Sequence, residues 1–387
     1  MIRRLAYNCL LAAFKEELFL VDSLAEIRAK GTLSKRDFAL LETLCYGTMR
    51  RALTLDFYGK QLAASGKLKL KLKERVLLRL ALFQHLYLDK IPLHAIAFEM
   101  VKVAKEVTHP QFVKFLNATL RKLETFTFKE PTALSDKLSA PQYLIDELSR
   151  RQSREEIEAF FAIFNHPPEP MMRERGGDIT TFIPFDPSRL DDETVYTQNP
   201  TPATLMATLA KGMDAPQKIL DLCAAPGGKL LLLHDLFPKA ELYACDPSEK
   251  RLERLRANCK KYGLNPHIAC CKGEEYSAEG GFDLIVIDAP CSNSGVLHKR
   301  AEARYRIDKH SLDEQCKLQL ILLRHAATLL NDGGEIWYMT CSILDRENED
   351  LIKKVAPLIK PKGEMVRILP NLKGGDGGFA SSLGKGE

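Results

Sequence analysis

No stretch of this chain is apolar over the roughly 18 consecutive residues that a membrane-crossing helix needs. Met1-Ile2-Arg3-Arg4-Leu5 opens a polar-punctuated amphipathic segment with no signal-peptide apolar core behind it. These absences predict a cytoplasmic protein with no membrane partner. Ten cysteines are present, but no Cys-x-x-Cys pair and no matching histidine spacing accompany them. Neither a zinc site nor a disulfide framework is therefore indicated, and reduced thiols and no metal are expected. Two phosphate-binding fingerprints are missing as well. Around Gly227-Gly228-Lys229, Cys223 stands where a P-loop needs its first glycine and Leu230 where it needs a hydroxyl, and no Gly-x-Gly-x-x-Gly occurs there.

What is present at that place is Ile219-Leu220-Asp221-Leu222-Cys223-Ala224-Ala225-Pro226-Gly227-Gly228-Lys229. It reads as a buried strand, a small-residue turn and the start of a helix over Leu230 to Leu236. Small side chains at Ala224, Ala225, Gly227 and Gly228 let backbone amides approach a ligand closely, at the positive end of the following helix. Such a site suits a nucleotide-like or carboxylate-bearing cofactor.

The net charge of +5 is unevenly spread: residues 1–125 hold 22 Lys and Arg against 12 Asp and Glu, leaving 34 against 39 for the remainder. A basic module joined to a near-neutral one suggests a polyanionic partner, and RNA or DNA is the polyanion expected in a cytoplasm. Within 1–125, leucines and alanines recur at helical spacing over Leu5–Leu20, Arg36–Tyr58, Lys73–Leu88, Leu93–Val107 and Phe112–Leu123. The alternating run Lys67-Leu68-Lys69-Leu70-Lys71-Leu72-Lys73 reads as a basic connector and a candidate phosphate-contact patch, or else as a solubilising stripe. Residues 126–145 read as a linker. Helical spacing returns from Pro141 to Phe164, His166-Pro167-Pro168-Glu169-Pro170 breaks it, and 146–195 reads as a small α/β subdomain.

From 196 to 387 strands and helices alternate, which predicts a doubly wound, Rossmann-like parallel sheet with ligands at the carboxyl ends of its strands. Glu241 to Asp246 is a second strand ending in a carboxylate, and an acid there accepts hydrogen bonds from ribose hydroxyls. A third strand, His267 to Cys271, leads to Gly273-Glu274-Glu275, where a cofactor's adenine would lie. Phe282 to Cys291 is a buried strand delivering Asp288 and Cys291, and Glu335 to Ser342 delivers Cys341 to the same sheet edge.

Two sets of motifs carry a family resemblance. Tyr46-Gly47-Thr48-Met49-Arg50, Arg79 to Gln84, Leu88 to Pro92 and Phe115 to Arg121 resemble the NusB-type RNA-binding helical domain. The cofactor loop, Asp288-Ala289-Pro290-Cys291 and Thr340-Cys341-Ser342 resemble the Nop2/Sun family of RNA cytosine-C5 methyltransferases that use S-adenosylmethionine. With the helical domain in front, the match is to the branch acting on 16S ribosomal RNA. The resemblance implies that Cys223, Ala224, Ala225, Pro226, Gly227, Gly228 and Lys229 wrap the methionine and ribose of that cofactor. It implies too that Asp246 holds the ribose, that Glu274 lies near the adenine and that Asp288 sits between cofactor and base. The partner it implies is ribosomal RNA, and a monomer is expected.

Carbon 5 of cytosine is a poor nucleophile, so a thiolate must first add to carbon 6 before carbon 5 can take a methyl group. Cys341 is assigned as that nucleophile, Cys291 as the group assisting loss of the carbon-5 proton, and Asp288 as a ligand of the cytosine amino edge. The reverse cysteine assignment has precedent in DNA cytosine-C5 methyltransferases, whose nucleophile follows a proline as Cys291 does. A tRNA substrate or a non-catalytic RNA-binding role are the competing readings. Four departures from the family pattern stand out: Leu297 to Tyr305 on the substrate side, Glu274 in place of an aspartate, the Asn293-Ser294-Gly295 turn, and a C-terminal strand dissolving after Ala380 into Ser381 to Glu387.

Overall fold

A computed structural model describes residues 1–63, 65–371 and 375–385. The chain divides into two compact units, Met1–Pro167 with Leu297–Ile307, and Pro168–Val296 with Asp308–Glu387.

The first unit is helical: α1 (Ile2–Phe14), α2 (Leu20–Ala29), α3 (Lys35–Arg50), α4 (Ala52–Leu62), α5 (Leu72–Tyr87), α6 (Leu93–Val107) and α7 (Pro110–Lys122). Three shorter helices, α8 (Leu134–Leu138), α9 (Gln142–Leu148) and α10 (Arg154–Phe164), follow. The periodic run Arg36–Tyr58 is thus two helices broken at Arg51, and α2 arises where the periodicity predicted none. Residues 126–145, expected as a linker, carry α8 and the start of α9. Ser34 caps α3 by accepting from Asp37 N–H, and Ser153 caps α10 by accepting from Glu156 N–H.

α5 is buried nearly all round, from Val76 to Phe83, and serves as the central helix of this core. Gly47 in α3 faces it: a Cβ there would lie 1.9 Å from Phe83 Cζ. The lysine-leucine alternation also has a structural cause. Leu68, Leu70 and Leu72 pack on the core while Lys67, Lys69, Lys71 and Lys73 are exposed: up to Lys71 the chain is non-helical and alternates sides, and Leu72 and Lys73 then open α5 with the leucine inward.

Leu297 to Tyr305, expected on the substrate side, fall within the segment Leu297–Ile307 that belongs to this helical unit. Arg304 is fully buried and donates to Arg50 O, at 2.9 Å, and to Asn165 Oδ1, at 2.9 Å. Glu302 accepts from Leu20 N–H at 2.9 Å, and Arg50 donates to His298 O at 2.6 Å. Burial lowers the pKa of both Arg50 and Arg304 to about 10.

The second unit opens with a three-stranded antiparallel sheet, β1 (Met171–Glu174), β2 (Phe182–Pro184) and β3 (Val195–Thr197), in the order β2-β1-β3. Then come α11 (Pro200–Leu209), β4 (Lys218–Asp221), α12 (Gly228–Leu236), β5 (Glu241–Cys245), α13 (Glu249–Tyr262), β6 (His267–Ala269) and β7 (Phe282–Asp288). The turn α14 (Ala303–Arg306) belongs to the helical unit. After it the chain continues through α15 (Lys309–Leu329), β8 (Leu330–Thr340), α16 (Glu349–Val355), β9 (Ile359–Pro361), β10 (Val366–Ile368) and β11 (Gly378–Lys385). The main sheet runs β10-β11-β8-β7-β4-β5-β6, with β9 also on β11. β4 to β8 are mutually parallel, and β11 lies antiparallel between β8 and β10. The chain steps outward from β4 through β5 and β6, then restarts on the other side with β7 and β8. The switch point therefore falls between β4 and β7, where ligands of such sheets bind.

β11 corrects the expectation of a dissolving tail. Gly378 to Gly384 are buried, and Phe379 to Leu383 pair with Thr340 to Ile336 of β8. Small residues suffice because both faces are covered: a Cβ on Gly378 would approach Thr201 and Leu205 within 3.2 Å. Ser382 Oγ donates to Glu335 at 2.6 Å. Gly386 and Glu387 lie outside the described residues.

The Gly47–Phe83 contact makes a prediction opposite in sign to helix propensity. Alanine is favoured over glycine in a helix interior by about 1 kcal/mol, but overpacking a filled core costs typically 1–3 kcal/mol. Gly47→Ala is therefore expected to lower the denaturant midpoint of the helical unit, and an unchanged or raised midpoint would contradict the contact.

Candidate active site

Four strand ends build the site. β4 ends at Asp221, paired in register with Ala244 of β5 on one side and Val286 of β7 on the other, and Asp288 of β7 pairs with Met339 of β8. Parallel pairing thus brings the 222–229 loop, Asp246, Asp288 and Cys341 to one edge of the sheet.

The 222–229 loop is fixed by its backbone. Cys223 N–H donates to Asp221 Oδ1 at 3.2 Å, Ala224 N–H to Cys245 O at 3.0 Å and Gly227 N–H to Ala224 O at 2.7 Å. Gly227 caps α12 at φ +103°, which a side chain would strain. Ala225–Pro226 is a cis peptide. Two α13 residues that the sequence reading passed over hold the loop from outside: Arg251 donates to Ala225 O at 2.6 Å and Asn258 to Pro226 O at 2.8 Å. They sit about two helical turns apart on a polar helix, a pattern that looks like ordinary solvation. Gly228 is met from the far side by the Tyr196 hydroxyl and by Gln198 Nε2, which donates to Gly228 O at 3.4 Å.

Carboxylates surround this loop. Asp221 is fully buried and its pKa is pushed up to about 7 by burial, with Lys229 and the Cys223 amide acting the other way. Asp246 is 1% exposed; its Oδ1 accepts from Ser248 N–H at 3.0 Å, but its Oδ2 receives no hydrogen bond, although Arg251 Nη1 lies 3.1 Å away. Burial pushes the Cys223 thiol up, with the three carboxylates adding to the effect. Lys229 pairs with Asp288. Burial opposes its charge, yet Asp288 together with Asp221 and Cys341 outweighs burial and holds the Lys229 pKa above its ordinary value. Glu274 stands half-buried on the turn Gly273–Glu275, where a Cβ on Gly273 would lie 3.0 Å from Leu222 O. The turn therefore packs directly on the loop.

Cys291 and Cys341 come together: their sulfurs are 3.2 Å apart. Cys291 is buried and Cys341 half-buried. The Cys291 pKa stands well above its ordinary value, first through its bond to Cys341, then through burial and the negative charge of Glu347. Asn293 holds both turns. It adopts φ +60°, a conformation asparagine tolerates better than most residues, donates from Nδ2 to Cys291 O at 2.9 Å and accepts from Cys341 Sγ at 3.4 Å. Gly295 passes between backbones, its N–H donating to Cys341 O at 2.9 Å while its carbonyl accepts from Gly377 N–H at 2.8 Å. A Cβ on Gly295 would lie 2.6 Å from Gly377 O and 2.7 Å from Cys341 O. The Asn293-Ser294-Gly295 variation is thus a working turn, and the 375–380 motif closes against it.

With this geometry in place, comparison with known proteins identifies relatives for both units. Residues 1–125 match the NusB family, and residues 208–358 match the family described as 16S rRNA methyltransferase RsmB/F. The chain is 29% identical over 386 residues to ribosomal RNA small subunit methyltransferase B of Shewanella oneidensis, covering 91% of this chain and 88% of that protein. It is 26% identical to the protein of the same name from Klebsiella pneumoniae, covering 91% of each. Among solved structures, that of PH0851 superposes with a TM-score of 0.79 at 23% identity, covering 100% of this chain and 99% of that one, which speaks to the fold. The chain thus carries a NusB-family domain over residues 1–125 and an RsmB/F-family methyltransferase domain over residues 208–358.

Proposed function

We propose that this protein methylates carbon 5 of a cytosine in 16S ribosomal RNA, with S-adenosylmethionine as methyl donor and Cys341 as nucleophile. The observation that carries the reading is the pair of cysteine sulfurs 3.2 Å apart at the carboxyl ends of adjacent parallel strands, beside the Lys229–Asp288 pair. Hydrolytic or redox use of a lone thiol needs no such pair, whereas addition to a pyrimidine followed by release uses both.

The residues fit the donor. Asp246 Oδ2 is ion-paired with Arg251 at 3.1 Å but receives no hydrogen bond, which leaves it able to accept from a ribose hydroxyl. The amide-lined loop Cys223, Ala224, Ala225, Pro226, Gly227, Gly228 and Lys229 suits the amino-acid end, and Glu274 the adenine side. When bound, the donor supplies a methyl group on a positively charged sulfur.

The protein's own residues do the rest. Cys341 thiolate forms a bond to carbon 6 of cytosine, and the electron pair displaced makes carbon 5 nucleophilic. Asp288, held by Lys229, accepts from the cytosine amino group and stabilises positive charge on the ring. After carbon 5 has gained its methyl group, Cys291 as thiolate takes the carbon-5 proton; the electron pair of that C–H bond re-forms the C5–C6 double bond, the sulfur–carbon bond breaks and Cys341 departs as thiolate. A stacked base cannot be reached in this way, so the target cytosine is unpaired or flipped. The exposed lysines 67, 69, 71 and 73 are proposed to hold flanking phosphates.

Four outcomes follow. In methyl transfer from labelled donor to 16S RNA, Cys341→Ala yields no product. Cys291→Ala is expected to accumulate a protein–RNA adduct that survives denaturation, and adducts from Cys341→Ala alone would require exchanging the two roles. For Asp246→Ala, calorimetry is expected to give donor affinity at least about tenfold weaker, since a charged hydrogen bond contributes about 1.5–3 kcal/mol; equal affinity would remove Asp246 from the site. Replacing the four lysines by alanine is expected to weaken RNA binding and to flatten the plot of log affinity against log salt by up to about 3, at roughly 0.7–0.9 per lost phosphate contact. An unaltered slope would return the run to a solubilising role.

A further inference from the structure

Glu347 is fully buried on the turn that follows the Cys341 motif, and the groups that hydrogen-bond to it are neutral. Oε1 accepts from Ser292 N–H at 2.8 Å and from Gln319 Nε2 at 3.1 Å, and Oε2 accepts from Ser292 Oγ at 2.5 Å. Gln319 also donates to Pro290 O at 2.9 Å, so the carboxylate grips the residues on both sides of Cys291. The Cys341 turn hangs from the same cluster. Ser292 Oγ lies 3.3 Å and Ser294 Oγ 2.9 Å from Ser342 Oγ, and Asn348, next to Glu347, donates to Ser342 O and accepts from Thr340 Oγ1. A buried carboxylate is costly, and neutral donors alone offset that cost only in part. The position therefore calls for a reason beyond packing.

The fields on the two sulfurs differ. Cys291 faces Cys341, the carboxylate of Glu347 and the buried phenol of Tyr338, whose own pKa is raised by burial first and by Glu347 and Cys291 after it. Cys341 faces Asn293, Cys291 and the Lys229 ammonium, which is paired with Asp288. Negative charge thus stands on the Cys291 side of the pair, whereas on the Cys341 side the Lys229 ammonium is balanced by Asp288.

We propose that Glu347 is a positioning residue for the cysteine pair: its buried charge ensures that when the pair loses one proton, the proton leaves Cys341 Sγ for water and Cys291 Sγ keeps its own. The reacting thiolate is then always the half-buried one; once Cys341 is bonded to carbon 6, Cys291 gives its own proton to water and, as thiolate, takes the proton from carbon 5. This rests on the pair being catalytic, as proposed above, but its test needs neither RNA nor methyl donor, so the two can fail separately.

The test is limited alkylation of the reduced full-length protein with iodoacetamide, with the labelled Cys291 and Cys341 peptides quantified by mass spectrometry across pH 7 to 9. In Glu347→Gln the Cys291:Cys341 labelling ratio is expected to rise about tenfold, the change in thiolate fraction for a one-unit fall in pKa. Glu347→Asp, which keeps the charge, and Ser292→Ala, which keeps the charge but loses a hydrogen bond, are expected to label like wild type. A ratio unchanged in folded Glu347→Gln, or raised as much in Ser292→Ala, would overturn the proposal. Cys341→Ser gives a check that does not depend on the glutamine variant folding: Cys291 should then alkylate with a midpoint above the ordinary thiol value of about 8.5, and a midpoint at or below it would overturn the proposal too.

Discussion

The geometry of this site depends on a backbone contact that only glycine permits. Gly295 lies between the carbonyl of Cys341 and the backbone of Gly377, bonded to each, with no room for a Cβ. That contact ties the turn after β7 to the turn after β8, and both to the start of β11. Without it the two strand ends would still be neighbours, because parallel register places Asp288 beside Met339. The sulfurs, however, would have no reason to meet at 3.2 Å. Register brings the turns to one edge, and the glycine contact sets their spacing.

Around that contact the protein layers polar groups that are individually ordinary. Asn293 in a left-handed conformation bridges both cysteine turns, and a set of serines links them to Glu347 and Asn348. On the other side Lys229, from the first turn of α12, reaches Asp288. The 222–229 loop is separately braced by Arg251 and Asn258 of α13. A thiol pair with a buried carboxylate on one side and a half-buried Lys229–Asp288 ion pair on the other is electrically asymmetric, as the proposed division of tasks between two identical groups requires.

Much of this was legible in the sequence. Strand-ending carboxylates and thiols at Asp246, Asp288, Cys291 and Cys341 declare themselves because a buried apolar run that ends in a polar residue is unusual. The helical unit followed from three- and four-residue spacing. The rest was hidden for physical reasons. β11 carries no apolar run, since it is covered on both faces and needs small residues more than large ones. The stretch 297–307 looks like a polar surface loop, yet Arg304 and Glu302 are buried there among backbone partners of the helical unit, which single-sequence periodicity cannot foresee. Glu347 was invisible because a glutamate in an acidic stretch reads as solvated. Only the serine and glutamine donors around it show otherwise.

The most direct measurement is to identify the residue that the unaltered protein bonds to a target RNA carrying 5-fluorocytidine, whose fluorine cannot leave as a proton does. With S-adenosylmethionine present, the account predicts a denaturation-stable adduct whose tryptic peptide carries the nucleotide on Cys341. An adduct on Cys291, or none despite methylation of ordinary RNA, would contradict it.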